Sequence, residues 1–226
     1  MQPIEILYED NHLIAVNKAP GELVQGDKSG DIPLCELVKA YLKEKYRKPG
    51  NVFCGVIHRI DRPVSGVVLF SRTSKALGRM NSMVRERKIV KRYWAIVRNC
   101  PPQETATLHH YLYKEERLNR TWVSETPKKG YLEAELSYRL IGRSDNYFLL
   151  EIDLKTGRHH QIRAQLAAIG SPIKGDLKYG ATRSNPDGSI ALHARCIQFI
   201  HPVSGKEISI TAPPPAGSLW NSFEPL

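Results

Sequence analysis

Between residues 131 and 140 the chain reads Y-L-E-A-E-L-S-Y-R-L, so Leu132, Ala134, Leu136, Tyr138 and Leu140 recur at every second position. In an extended strand that period places them on one face and the polar residues on the other. The segment 146–154 repeats the pattern, and adjacent alternating runs favour antiparallel pairing. Further strand-like runs lie at 4–8, 12–17, 53–57, 66–70, 89–97, 105–112, 119–124, 196–200 and 206–211. Helical spacing marks 33–48, where Leu34, Leu37, Val38, Tyr41 and Leu42 share a face, Pro33 suits the first turn and Pro49-Gly50 a stop. A second helix, about 73–88, aligns Ala76, Leu77, Met80, Met83 and Val84; a third, about 159–169, aligns Ile162, Leu166 and Ile169 and ends before Gly170. No repeat, low-complexity linker or composition break divides the chain. The expected fold is α+β: one domain over residues 1–226, with a mixed, largely antiparallel sheet flanked by helices around a central cleft.

Charge narrows the function classes. The 226 residues carry 33 Lys and Arg against 23 Asp and Glu, a net charge of +10. Such an excess points to a polyanionic partner, nucleic acid first. Neither a signal peptide nor a membrane-spanning run is apparent, and no basic amphipathic helix suggests membrane contact. The four cysteines, Cys35, Cys54, Cys100 and Cys196, are scattered without a C-x-x-C and read as reduced thiols of a cytoplasmic protein.

One loop stands apart. Residues 58–66 read H-R-I-D-R-P-V-S-G between two apolar runs, which places Asp61 between Arg59 and Arg62 in a turn-forming segment. The ordinary reading is a solvated surface turn. The other is a reactive carboxylate mounted on a strand-flanked loop.

Three basic segments accompany it. R-E-R-K-I-V-K-R at 85–92 includes Lys91 and Arg92, and suits either phosphate contact or a solvated helix end. The segment 113–129 mixes Lys114, Arg117, Arg120, Lys128 and Lys129 with Tyr113 and Trp122. Bases and aromatics together suit RNA, although Trp122 fits equally well as a strand residue packed inward. K-T-G-R-H-H-Q-I-R at 155–163 puts Arg158, His159 and His160 at the start of a helix, where anions bind and where capping histidines are also common. No ligand spacing suits a metal, and the adjacent strand residues His109 and His110 point to opposite faces. Arg163 falls one residue off the buried stripe of its helix, where an arginine wants a carboxylate; Asp61 is one candidate.

Taken together, these motifs resemble the RluA family of RNA pseudouridine synthases. H-R-I-D-R-P-V-S-G-V-V-L-F at 58–70 is similar to that family's H-R-L-D-x-x-T-S-G-x-L-L segment. Y-E-D-N-H-L-I-A-V-N-K-A-P-G at 8–21, K-R-Y-W-A-I-V at 91–97, T-G-R-H-H-Q-I-R at 156–163 with G-D-L-K-Y-G at 175–180, L-H-A at 192–194 and H-P-V-S-G at 201–205 follow in family order. Pro63-Val64, His159 and Ala164-Gln165-Leu166 depart from the family pattern, and the expectation is a stand-alone catalytic domain without the S4-like domain of many relatives. The resemblance implies isomerisation of uridine to pseudouridine in structured rRNA or tRNA, with no cofactor and no metal, by a protein expected to be a monomer. It implies Asp61 as the catalytic carboxylate, Tyr93 against the target base and Arg163 as the partner of Asp61. It further implies Arg59 in the space of an extruded nucleotide and Ile162 in the apolar wall. Arg62, Arg158, His159, Lys91 and Arg92 complete the expected RNA contacts. The alternative is a non-catalytic RNA-binding or RNA-folding protein on the same scaffold. A nucleoside or glycoside hydrolase would need a second acid, and none is evident.

Overall fold

The computed structural model describes residues 4–223. In chain order the elements are β1 (Glu5–Glu9), β2 (Leu13–Lys18), α1 (Leu34–Lys45), β3 (Gly55–Val56), β4 (Ser65–Ser71), α2 (Ser74–Arg85), β5 (Val90–Val97) and β6 (Thr105–Glu115). They continue with β7 (Arg120–Ser124), β8 (Leu132–Arg143), β9 (Phe148–Leu154), α3 (Gln161–Ala168), a 3-10 turn (Leu177–Tyr179), β10 (Leu192–Ile200), β11 (Glu207–Thr211) and α4 (Ser218–Asn221). The architecture is α+β, as the alternating patterns predict. By contact the chain divides into two compact units, one holding the described residues up to Ile89 and Ala194–Pro214, the other Val90–His193 and the described residues from Pro215 onward.

In the first unit β1, β2, β4 and β10 lie side by side in that order, β11 pairs with β10, and β3 with the end of β4. The β1–β2, β2–β4 and β10–β11 pairs are antiparallel. Alternation along β2 and β4 feeds both faces. Leu13, Ala15, Val67 and Leu69 meet Ala76 and Met80 of α2, while Ile14, Val16, Val68 and Phe70 meet Leu34, Val38 and Leu42 of α1. A helix on each side explains why β4 is buried at every position and reads as a continuous apolar run. The run at 53–57 differs from expectation: only Gly55 and Val56 form a strand and Phe53 is exposed, because β3 reaches only the last residues of β4.

Capping sets the helix ends. Thr73 Oγ1 accepts from Ala76 N and starts α2. α1 stops at Lys45, ahead of the Pro49-Gly50 stop, because Arg47 takes a left-handed φ of 47° and Lys48 N turns back to Lys43 O.

In the second unit β5, β9, β8, β6 and β7 follow one another across an antiparallel sheet, with α3 against β6 and β7. Ala134, Leu136 and Tyr138 of β8 are buried as the alternation requires, whereas Leu132 at its start is exposed. α3 is not amphipathic. Every residue from Gln161 to Leu166 is buried, while Ile169, predicted on its buried stripe, is only the half-buried C-cap. Among the described residues no helix is long and apolar enough to cross a membrane.

Gly66 is the most closely approached glycine of the first unit. Its φ is +114°, and a Cβ there would lie 2.3 Å from the Ala194 carbonyl oxygen of β10. Positive φ alone costs a non-glycine residue about 1–3 kcal/mol, and the clash adds to that. Gly66→Ala should therefore destabilise the protein by about 3 kcal/mol or more. A urea denaturation midpoint equal to that of the wild type would contradict it.

Candidate catalytic site

Asp61 and its neighbours belong to the first unit, and the loop that carries them is held by a buried cation. Lys18 ends β2 and is 0% exposed. Its Nζ donates to the carbonyls of Ala19, at 2.8 Å, and Arg62, at 3.0 Å. Burial pushes the Lys18 ammonium down to about 8, against the pull of the nearby Glu22 and Asp61 carboxylates. The loop is closed from three more directions. Gly21 N donates to Arg62 O, Arg62 Nε donates to Gly21 O, and Arg62 Nη2 pairs with Asp31 Oδ2 at 2.6 Å. Val64 N donates to Asp61 O in the turn itself. His58 Nε2 accepts from Leu69 N, which makes this histidine a fixer of the loop rather than a proton donor at that nitrogen. Asp61 is half-buried, whereas Arg59 is exposed and forms no ion pair among the described residues.

Tyr93, Lys91, Arg92, Arg158, His159, Ile162 and Arg163 belong to the second unit. Tyr93 is buried on β5 opposite Ile152, and Ile162 is buried on α3. Lys91 is half-buried, and burial pushes its ammonium below the ordinary lysine value. Arg92 pairs with Asp153 on β9 at 3.4 Å, and the exposed Arg158 donates from Nε to Glu133 O. His159 is engaged at both ring nitrogens, at Thr121 Oγ1 and at Asn119 Oδ1, and so joins the β6–β7 hairpin to the start of α3.

Arg163 is 5% exposed and forks onto Asp176, Nε to Oδ2 at 2.7 Å and Nη2 to Oδ1 at 2.9 Å. A two-pronged pair of this kind is strong and directional. It uses two of the five guanidinium N–H groups. Tyr179 packs its ring 5.1 Å from the Arg163 guanidinium, and its hydroxyl accepts from Thr121 N and bonds to His160 Nδ1. Burial and the neighbouring Arg163 push His160 down to about 2, so its ring is neutral at physiological pH. Among the described residues, no group of His, Cys, Asp and Glu could hold a metal ion.

Three residues of this framework escape the sequence reading. Lys18 and Asp176 lie inside the quoted motifs N-K-A-P-G and G-D-L-K-Y-G, which is the one signal that marks them. Tyr179 shares that second motif.

The comparisons with known proteins decide the family. A model described as RNA pseudouridylate synthase matches residues 12–168. The chain belongs to that family. It is 33% identical over 218 residues to an uncharacterized RNA pseudouridine synthase of Synechocystis sp., covering 95% of this chain and 66% of the relative. It is 33% identical over 215 residues to ribosomal large subunit pseudouridine synthase C of Buchnera aphidicola subsp. Acyrthosiphon pisum, covering 92% and 66%. Ribosomal large subunit pseudouridine synthase D of Xylella fastidiosa is 34% identical over 227 residues, covering 94% and 66%. The chain thus spans just under two thirds of the length of these relatives. In fold it resembles the solved structure of Human RNA Pseudouridylate Synthase Domain Containing 4. The TM-score is 0.78 at 20% identity, over 93% of this chain and 88% of that one.

The buried lysine leaves a pH signature. Its folded value lies below the ordinary 10.5, so between about 8 and 10.5 the unfolded chain holds a proton that the folded one has released. Stability contributed by this group therefore rises with pH across that window, by on the order of 3 kcal/mol in all. Lys18→Met should lack the rise when the two proteins are compared by denaturation at pH 8 and pH 10.5; parallel profiles would contradict the assignment.

Proposed function

We propose that this chain is an RNA pseudouridine synthase that isomerises uridine in structured rRNA or tRNA, with Asp61 as its catalytic carboxylate. The observation that carries the reading is the family match over 12–168, which encloses H-R-I-D-R-P-V-S-G and the Lys18 anchor beneath it. Two of the named relatives are ribosomal large subunit enzymes, so large-subunit rRNA is the first substrate to test.

The reaction is an internal exchange of bonds. The N1–C1′ glycosidic bond breaks, the uracil turns while held, and C5 bonds to C1′; the C5 proton leaves and N1 regains one, so atoms balance without an external reactant. Asp61 acts on the sugar, either by adding to C1′ or by taking a ribose proton, and both routes require the ionised carboxylate. Arg163 is proposed as its counter-ion. An opposite charge nearby favours ionised Asp61. Tyr93 is proposed to pack on the target base, and Ile162 to line the apolar wall. A stacked uridine cannot present its sugar bond to a carboxylate, so the nucleotide must be extruded, and the exposed Arg59 is proposed to fill its place. Lys91, Arg92, Arg158 and His159 are proposed to face the RNA strand.

Asp61→Asn separates chemistry from binding. It removes one negative charge, so RNA binding should be retained or strengthened, while pseudouridine formation in total RNA falls to background. Retained product in that variant would sink the catalytic assignment. Binding of wild type without product would favour a non-catalytic RNA binder. Affinity should also fall as salt rises, because phosphate contacts release counter-ions.

A further inference from the structure

The β6–β7 hairpin turns its aromatic residues outward. Trp122 is 43% exposed and Tyr113 39%, although both lie within regular strands. They are direct cross-strand partners, so their side chains share one face. Leu112 and Thr121, their neighbours in sequence, are buried on the other. Tyr131 stacks on Tyr113 at 5.4 Å between centroids. Two cations sit against these rings: the Arg120 guanidinium lies 4.9 Å from the Trp122 ring and Lys128 Nζ 5.8 Å from that of Tyr131.

Charge and connection give this surface a direction. Lys114 pairs with Glu116, but among the described residues neither Arg120 nor Lys128 pairs with a carboxylate. Partly exposed aromatic rings beside cations that have no carboxylate partner match the two parts of a nucleotide, a base that stacks and a phosphate that carries charge. Arg120 also lies 5.5 Å from the Tyr179 ring, which takes the Arg163 guanidinium at 5.1 Å. A continuous series of ring and guanidinium contacts therefore runs from exposed Trp122 to buried Arg163.

We propose that this face is a stacking platform for an unpaired nucleotide of the RNA, adjoining the uridine to be modified. The proposal rests on the reading of the chain as an RNA-modifying enzyme and adds the form of the substrate: a loop or single strand whose bases are free to stack, rather than a continuous duplex. Trp122 and Tyr113 supply the stacking surface, and Arg120 and Lys128 the phosphate contacts.

The test uses the full chain, with Trp122→Ala and Trp122→Phe, and two labelled RNAs, a single-stranded oligouridine and a duplex of equal length. Binding is followed by fluorescence anisotropy at low and moderate salt. Loss of one base stack should weaken single-strand binding of Trp122→Ala about tenfold. Its duplex binding and salt slope should match the wild type, and Trp122→Phe should bind as the wild type does. Equal single-strand affinity in the alanine variant would overturn the platform. So would equal loss on both RNAs, or a change of oligomeric state in light scattering without loss of single-strand binding. Pseudouridine formation is measured separately. Trp122-dependent single-strand binding without product would defeat the enzymatic reading and leave the platform standing.

Discussion

An ammonium group sealed from water holds the loop on which the proposed chemistry rests. Lys18 lies at the end of a strand buried on both faces, where an unpartnered charge would be intolerable. Its escape is to donate to two main-chain carbonyls, one of them that of Arg62, and to stand near the Asp61 carboxylate. The loop cannot move away without stripping that cation of its partners. Gly66 acts just beyond: paired with Lys18 across β2 and β4, it lets the β10 backbone approach where a side chain would prevent it.

The second unit uses the same device with the signs shared out. Arg163 and Asp176 are both buried, and each makes the other tolerable. Removing either partner of such a pair is costly, about 3–5 kcal/mol, because the survivor is left charged in a poor solvent. Tyr179 extends the arrangement by placing its ring against Arg163 and its hydroxyl between Thr121 and the neutral His160. The T-G-R-H-H-Q-I-R segment is thereby tied to the hairpin, with His159 bonded to Thr121 and Asn119 and the buried His160 to Tyr179.

How much of this was legible in the sequence depends on the range of the interaction. Period-two runs located β8 and β9 and period-3.6 runs located α1 and α2, because burial on one side leaves a local imprint. Where burial is all round the imprint vanishes, and the stripe read on α3 does not exist. Arg163 was recognised as needing an acid, but Asp176 was not singled out, since the fork closes across a loop that carries no periodicity. Lys18 lies just beyond the strand read at 12–17 and carries no local mark of burial; only the fold encloses it. Trp122 fitted both an inward and an outward position, and the hairpin register turns it outward. The motif order, in contrast, was sufficient for the family, because family motifs mark residues whose reasons are tertiary.

The division of the chain has a consequence for the order of synthesis. The five strands of the second unit's sheet run consecutively between Val90 and Leu154, so all are available as one stretch of nascent chain. The sheet of the first unit begins earlier but is completed later: β4 gains its neighbour β10 only when the residues from Ala194 onward have emerged. Until then β4, with its apolar run from Val67 to Phe70 and with β3 paired only to its last two residues, presents an open edge, the kind of surface that recruits other chains. The sheet that starts the polypeptide is thus the one that must wait. Crowded translation or slowed elongation after Arg72 should expose this protein to misassembly more than thermal stress on the finished fold.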